Sequence, residues 1–191
     1  IDTDCGSDDA MAIAMALNDP RYEILMFCTV SGNVCMEQAT INTLTTIEHA
    51  GSYEPPVYKG SRSMLLRDLA YAHETHGRDG MGDIGLVPHR LKESNGNAVL
   101  KMIETLRNSE DGEIDIIALG PLTNIALAIK VDYEAMKKVG RIVVMGSAGL
   151  GRGNVSPVAE FNIWQDAEAA KILVDSCLLY TSPSPRDGLL S

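Results

Sequence analysis

Short apolar runs alternate along this chain with longer stretches of helical spacing, and few architectures accept that alternation. Ile24 to Val30 is a near-continuous apolar run, typical of a strand buried on both faces of a parallel sheet. Val34 to His49 follows with helical spacing and is stopped by Gly51. Pro55-Pro56 breaks the chain before a short strand over Val57 to Lys59, and Ser61 to Pro88 reads as a loop-rich excursion with several glycines. The alternation then resumes. Asn97 to Asn108 has the pattern of an amphipathic helix, Ile114 to Leu119 of a strand, and Leu122 to Lys130 of a helix beginning behind Pro121. Arg141 to Met145 reads as the next strand and Asp166 to Asp175 as the next helix. The order predicts an α/β fold, a mainly parallel sheet flanked by helices. With 191 residues, the chain has enough material for one domain and its core.

Four aspartates crowd the first nine residues, in Asp2-Thr3-Asp4-Cys5-Gly6-Ser7-Asp8-Asp9, just before the apolar run Ala10 to Leu17. Ile1 to Asp4 reads as the end of a strand, whose alternation points Asp2 and Asp4 to the same side. Gly6 permits a tight turn, and Asp8 and Asp9 open a helix whose N-terminal dipole favours negative charge. The dipole accounts for one or two carboxylates. Four in so small a volume repel one another unless protons or a cation intervene. Clustered aspartate oxygens without a nearby His or Cys pair suit a hard cation such as Ca²⁺ or Mg²⁺. The competing reading is a helix N-cap with solvated charges.

A net charge of −10 argues against a nucleic-acid backbone or an anionic membrane as partner. No apolar run approaches the length of a spanning helix, and no signal-peptide pattern opens the sequence. Cys5, Cys28, Cys35 and Cys177 have neither zinc spacing nor the density of a disulfide scaffold, so a reducing cytoplasm is the simplest setting. In parallel α/β sheets, ligands bind beyond the carboxyl ends of the strands. Asp4, Asn33, Gly120 and Met145 each lie just past an expected strand end, which brings them to one edge.

The acidic turn resembles the N-terminal fingerprint of the nucleoside hydrolases, enzymes that cleave the N-glycosidic bond of ribonucleosides. Further stretches resemble family motifs in family order: Ser31-Gly32-Asn33-Val34, His76-Gly77-x-Asp79-Gly80-Met81-Gly82, Leu119-Gly120-Pro121-Leu122-Thr123-Asn124-Ile125-Ala126, and Gly153 to Asn162. The resemblance covers about residues 1 to 176. It implies an activity that releases a free base and ribose with a Ca²⁺-bound water, and Asp4 as both metal ligand and general base. Asp9 would be a second metal ligand, and the backbone carbonyl of Thr123 a third. The plainer reading of Thr123-Asn124 is helix capping after Pro121, and the two roles can coexist. Asp2 would stand behind these groups and restrain them.

The same resemblance gives Asp8, Asn33, Asn154, Glu160 and Asn162 the ribose hydroxyls and places Met145 under the sugar. Contacts of that kind can strengthen as the ring flattens towards an oxocarbenium ion. Taken alone, Asn33 would be an ordinary turn residue. His76 lies in a glycine-rich stretch suited to a lid over the base, against the alternative of a solvated loop histidine. Phe161 and Trp164 read as core packing rather than base-stacking platforms. The family also implies a homo-oligomer, dimer or tetramer, for the full-length parent.

Two departures qualify the resemblance. Cys5 stands where the family commonly has Pro, and the neighbouring negative charge argues against a nucleophilic thiol. After Ser176 a further apolar strand is expected, yet Cys177 to Gly188 carries Pro183 and Pro185 among small polar residues, which excludes a central strand. Residues 177–191 resemble translated adapter sequence, a non-native or disordered tail on the N-terminal part (1–176) of a single nucleoside hydrolase-like domain. A genuine short homologue with a disordered tail is the alternative. On this reading the chain is a truncated family member, also missing a few N-terminal residues. It lacks the family's last carboxylate ligand and leaving-group acid, and is inactive as given. Competing functions are an aspartate-dependent phosphatase, which phosphate release would reveal, and a nucleoside-binding module, which would bind without releasing ribose. Purine or pyrimidine preference is not legible in the sequence.

Overall fold

The computed structural model describes residues 1–178 and the backbone of Tyr180–Thr181. The strands are β1 (Asp2–Thr3), β2 (Phe27–Thr29), β3 (Val57–Lys59), β4 (Ile116–Ala118), β5 (Ile142–Val144) and β6 (Tyr180–Thr181). The helices are α1 (Ser7–Asn18), α2 (Met36–Ala50), α3 (His73–His76), α4 (Ala98–Arg107), α5 (Thr123–Val131), α6 (Tyr133–Met136), α7 (Phe161–Gln165) and α8 (Ala167–Asp175). Every strand pairing is parallel, in the order β3-β2-β1-β4-β5-β6. The expected α/β class with a parallel sheet flanked by helices is what the chain forms.

The order locates the site. The chain winds outward from β1 through β2 to β3, then crosses back to place β4 on the other side of β1, with Asp2 in register with both Cys28 and Ala118. Where winding reverses, the connections leave in opposite directions and open a crevice beyond the strand ends. The acidic turn follows β1, and Gly120-Pro121 follows β4, so both border that crevice.

Strand alternation divides the core into two layers. Phe27 packs with Ile13, Leu17, Leu44 and Ile47 of α1 and α2 on one face. The next residue, Cys28, joins Ala98, Met102, Ile125, Ile142 and Leu173 on the other. Local signals set the helix starts. The Asn97 side chain accepts from the Val99 amide at 3.0 Å at the head of α4, and Asp166 accepts from the Ala169 amide at 3.0 Å at the head of α8.

Four elements depart from the sequence reading. α3 interrupts the segment read as loop from Ser61 to Pro88, and α6 and α7 occupy stretches to which no element was assigned. α6 and α7 are short helices held by side-chain caps, from Asp132 to the Ala135 amide and from Glu160 to the Asn162 and Ile163 amides. Such brief helices leave too few positions to show a period. The fourth is β6, which pairs with β5 at the sheet edge beyond Ser176. A strand this short at an edge needs only backbone partners on one side, so the composition that excludes a central strand does not exclude it. The prolines of the tail and the rest of 182–191 lie outside the described residues.

Candidate active site

The turn after β1 is held by its own acids. Gly6 stands at the N-cap of α1, and its amide donates to Asp9 Oδ2 at 2.9 Å, while Thr3 Oγ1 donates to Asp9 Oδ1 at 3.2 Å. Asp9 is therefore folded back over the turn, where the helix dipole favours its charge. Asp4 is fully buried, and its Oδ2 accepts from the Asn33 amide at 2.6 Å. Asn33 also donates through Nδ2 to Asp9 Oδ2 at 3.3 Å, so one residue at the end of β2 bonds both carboxylates.

Two glycines make room for Asp4. A Cβ at Gly32 would lie 2.1 Å from Asp4 Oδ2 and 2.8 Å from Pro121 Cδ, and one at Gly120 would lie 2.7 Å from Asp4 Oδ1. Neither clash can be relieved without moving the carboxylate or backbone. Gly32→Ala is expected to lower stability by about 1–3 kcal/mol through overpacking and to dislodge Asp4. Thermal unfolding measures this, and a variant as stable as the parent would show that the carboxylate is not confined.

Electrostatically the turn is strained towards protonation. Burial pushes the Asp4 carboxyl well above the usual range, and the Asp9 charge adds to it. Asp9 is raised to about 7 by burial, with Asp8 contributing. Asp2 is also pushed to about 7 by burial, although Asn124 Nδ2 donates to its Oδ1 at 2.7 Å. Asp2 Oδ2 and Asp4 Oδ1 are buried with no hydrogen-bond partner among the described residues. Burial drives the Cys5 thiol far up, with Asp9 adding to the effect, which removes it as a nucleophile near neutral pH.

Beside this turn lies a cavity of about 310 Å³, walled by Asp8, Asp9, Asn33, His76, Met145, Asn154, Glu160 and Asn162 together with Ala12, Ala72, Thr75, Leu119, Val155 and Phe161. The polar wall is itself ordered. Asn162 Nδ2 donates to the carbonyls of Leu119 at 2.7 Å and Met145 at 3.1 Å, tying α7 to the ends of β4 and β5. Glu160 Oε2 accepts from the Asn162 amide at 2.9 Å, and Asn154 bonds the Glu160 side chain. Burial raises the Glu160 carboxyl, and these donors offset part of the rise.

His76 ends α3 with its ring largely covered, Nδ1 paired with Ser7 Oγ at 3.1 Å and 3.8 Å from Asp8 Oδ1. It is not a solvated loop histidine. Of the expected site residues, the cavity wall thus gathers Asp8, Asp9, Asn33, His76, Met145, Asn154, Glu160 and Asn162.

Asp4, Asp2 and Thr123 are not in that wall. Asp4 lies behind it, reached through Asn33 and Asp9. Asp2 is bonded to Asn124, whose amide also holds the Thr29 carbonyl and the Ser61 amide. The Thr123 side chain turns to Asp166 Oδ2 at 2.7 Å. Phe161 corrects the reading of it as core packing: it is half-buried, lies on the cavity wall and belongs to neither core layer. Its place between Glu160 and Asn162, in the first turn of α7, was the only signal that could have found it. Val155 stands in the same motif, and Thr75 gave no signal beyond its place before His76.

The donor set fits a hard cation chemically. Asp4 and Asp9 are neighbouring buried carboxylates that repel, and one Asp4 oxygen is without a partner. Among the described residues, no group of three or more His, Cys, Asp or Glu side chains is arranged as a metal centre. A hard cation held there would have to draw its remaining oxygens from backbone carbonyls, water or a ligand.

The family model for inosine-uridine preferring nucleoside hydrolases matches residues 1–183. The chain belongs to the nucleoside hydrolase family. Uridine nucleosidase 1 of Arabidopsis thaliana is 45% identical over 177 residues, which is 92% of this chain and 52% of that protein. A plant nucleoside hydrolase structure superposes with a TM-score of 0.91 at 39% identity, covering 97% of this chain and 58% of the other. The purine-preferring ribonucleoside hydrolase from Gardnerella vaginalis gives 0.89 at 34% identity, covering 96% and 59%. The chain spans about half the length of the curated relatives it matches. Within this family fold, the motifs from β1, β2, α3, β4 and the loop before α7 all reach the same crevice, although they are spread from Asp2 to Asn162 along the sequence. No helix among the described residues is long and apolar enough to cross a membrane.

Proposed function

We propose that this chain carries the water-activating and ribose-binding half of a ribonucleoside hydrolase, which splits the N-glycosidic bond to a free base and ribose. The observation that carries the reading is the buried Asp4 carboxyl, partnerless at Oδ1 among the described residues, set directly behind a wall of carboxylates and amides. Asp8, Asn33, Asn154, Glu160 and Asn162 offer acceptors and amide donors suited to vicinal hydroxyls, with Met145 against the sugar. Asp4 takes the proton of the attacking water while oxygen bonds to C1′ and the C1′–N bond breaks, its electrons leaving with the base. The resident cation is read as Ca²⁺, held by Asp4, Asp9 and the Thr123 carbonyl, where it would acidify the water and keep both carboxylates ionised. Asp2 and Asn124 stiffen the strand end beneath.

The cavity size agrees with a small ligand, near the lower end of the about 300–1,000 Å³ usual for such sites. Its wall carries Asp8, Asp9 and Glu160 and, among the described residues, no Lys or Arg, which disfavours a phosphomonoester and with it the phosphatase reading. Relatives named for uridine and for purines leave the base open. The four free cysteines, Cys5 and Cys28 among them buried, fit a reducing cytoplasm. A homo-oligomer and a domain limit near Ser176 belong to the same proposal. The test is a reducing-sugar assay with inosine and uridine in the presence of Ca²⁺. Ribose release is expected from this chain extended to the length of its relatives and not from the chain as given, and phosphate release from phosphomonoesters or nucleoside binding without ribose by the extended protein would reject the reading.

A further inference from the structure

Asn42 takes no part in the cavity wall, yet its amide joins two neighbouring segments that both border it. It lies on α2 and is 1% exposed. Its Nδ2 donates to the Cys5 carbonyl at 2.9 Å and to the Asp79 carbonyl at 2.8 Å, and its Oδ1 accepts from Gln38 Nε2 at 2.9 Å. The reversed amide would set oxygen against two carbonyls, so the orientation is fixed. Cys5 lies between Asp4 and Gly6 in the acidic turn, and Asp79 follows closely on His76.

The segment after His76 behaves as one piece. Asp79 Oδ1 accepts from the amides of Met81 at 2.7 Å and Asp83 at 2.8 Å, its Oδ2 accepts from Gly85 at 3.0 Å, and the Gly82 amide donates to the His76 carbonyl at 2.7 Å. A unit closed on itself this way needs few outside bonds to place it. Gly80 lets it approach α2: at φ +76° a Cβ there would lie 2.9 Å from Val34 Cγ1 and 3.0 Å from Asn42 Nδ2. At its other end the segment is tied back by the Ala72 amide, which donates to the Asn33 carbonyl at 3.0 Å, and by the Ser7–His76 contact.

We infer that Asn42 is a positioning residue that fixes the His76 segment against the acidic turn, and so sets where His76 stands on the cavity wall. The inference rests on the nucleoside hydrolase reading of this cavity. Both anchors are backbone carbonyls, so Asn42 acts on placement and not on charge. An apolar residue of the same size would take this donor from the buried Cys5 carbonyl and the part-buried Asp79 carbonyl, and the segment could drift.

The test uses Asn42→Ala and Asn42→Asp, each alone and combined with His76→Ala. The aspartate keeps the shape while opposing both carbonyls with oxygen. Hydrolysis of inosine and uridine by the parent extended to its relatives' length is followed as kcat and KM, alongside amide hydrogen exchange over 77–85 and thermal unfolding. Expected are a fall in kcat/KM of about 10–100-fold, faster exchange in 77–85, and little further loss when Asn42→Ala is added to His76→Ala. Equal losses in both backgrounds, tracking the loss of thermal stability, would reduce Asn42 to a general packing role and overturn the inference. So would wild-type turnover in both single variants. If Asn42→Ala does not fold, Asn42→Asp decides on the same criteria. Should the parent release no ribose at all, the functional reading fails separately. Asn42 is then judged by exchange alone, and unchanged exchange over 77–85 rejects it.

Discussion

Asp4→Asn is expected to silence ribose release while leaving the fold at least as stable as it was. The amide has the shape of the carboxylate, so the Asn33 amide keeps an acceptor, and Gly32 and Gly120 meet no larger group. It removes a fully buried carboxyl whose ionisation is disfavoured by burial and by the Asp9 charge. It also removes the base. A general base contributes about 10²–10⁴-fold, and loss of that order in kcat with uridine and inosine is the expected result. Thermal unfolding in chelator should show no fall in stability, because a desolvated carboxylate costs more than a desolvated amide. Sites built for chemistry trade stability for function in this way. An Asn variant with parental turnover would remove Asp4 from the mechanism. One that unfolds would mean the carboxylate is a structural anchor.

Asp9→Ala should show the second large effect, a collapse of Ca²⁺ affinity. Removing a carboxylate from a hard-ion site takes away both a ligand and half of the charge that attracts the ion. Calorimetric titration with Ca²⁺ measures it directly, without reference to turnover, and unchanged binding would place any metal elsewhere. The pH dependence has a definite sign. The cation and the proton compete for the same oxygens, and Asp9 holds its proton up to about 7. Ca²⁺ affinity of the parent should therefore weaken already as pH falls through about 7. A site of ordinary carboxylates would hold until about 4. Affinity flat from pH 7 to 5 would contradict the burial of this pair as the structure describes it.

The strand over Val57 to Lys59 was legible in the sequence to the residue, because the Pro55-Pro56 break before it is a backbone property that no distant contact can cancel. Asn97 and Asp166 marked the starts of α4 and α8 for the same kind of reason: a side chain that reaches its own following amides is a local event. The acidic turn declared itself too, since four carboxylates before a helix have few explanations. The sequence by itself thus determined the α/β class, the starts of α4 and α8 and the crowding of carboxylates ahead of α1.

Only the tertiary structure decided where those parts meet. Strand order rests on pairings between residues as distant as Asp2 and Ala118, and nothing within either strand specifies its neighbour. The crevice at the reversal of winding, the withdrawal of Asp4 behind the wall and the arrival of Phe161 on it all follow from that order. The amide of Asn42 shows the limit most clearly. In sequence it is one polar residue on a helix, and its partners at Cys5 and Asp79 each lie 37 positions away in opposite directions. Local propensity acts over a turn or two, whereas the hydrogen bonds that shape this site close loops far longer than that.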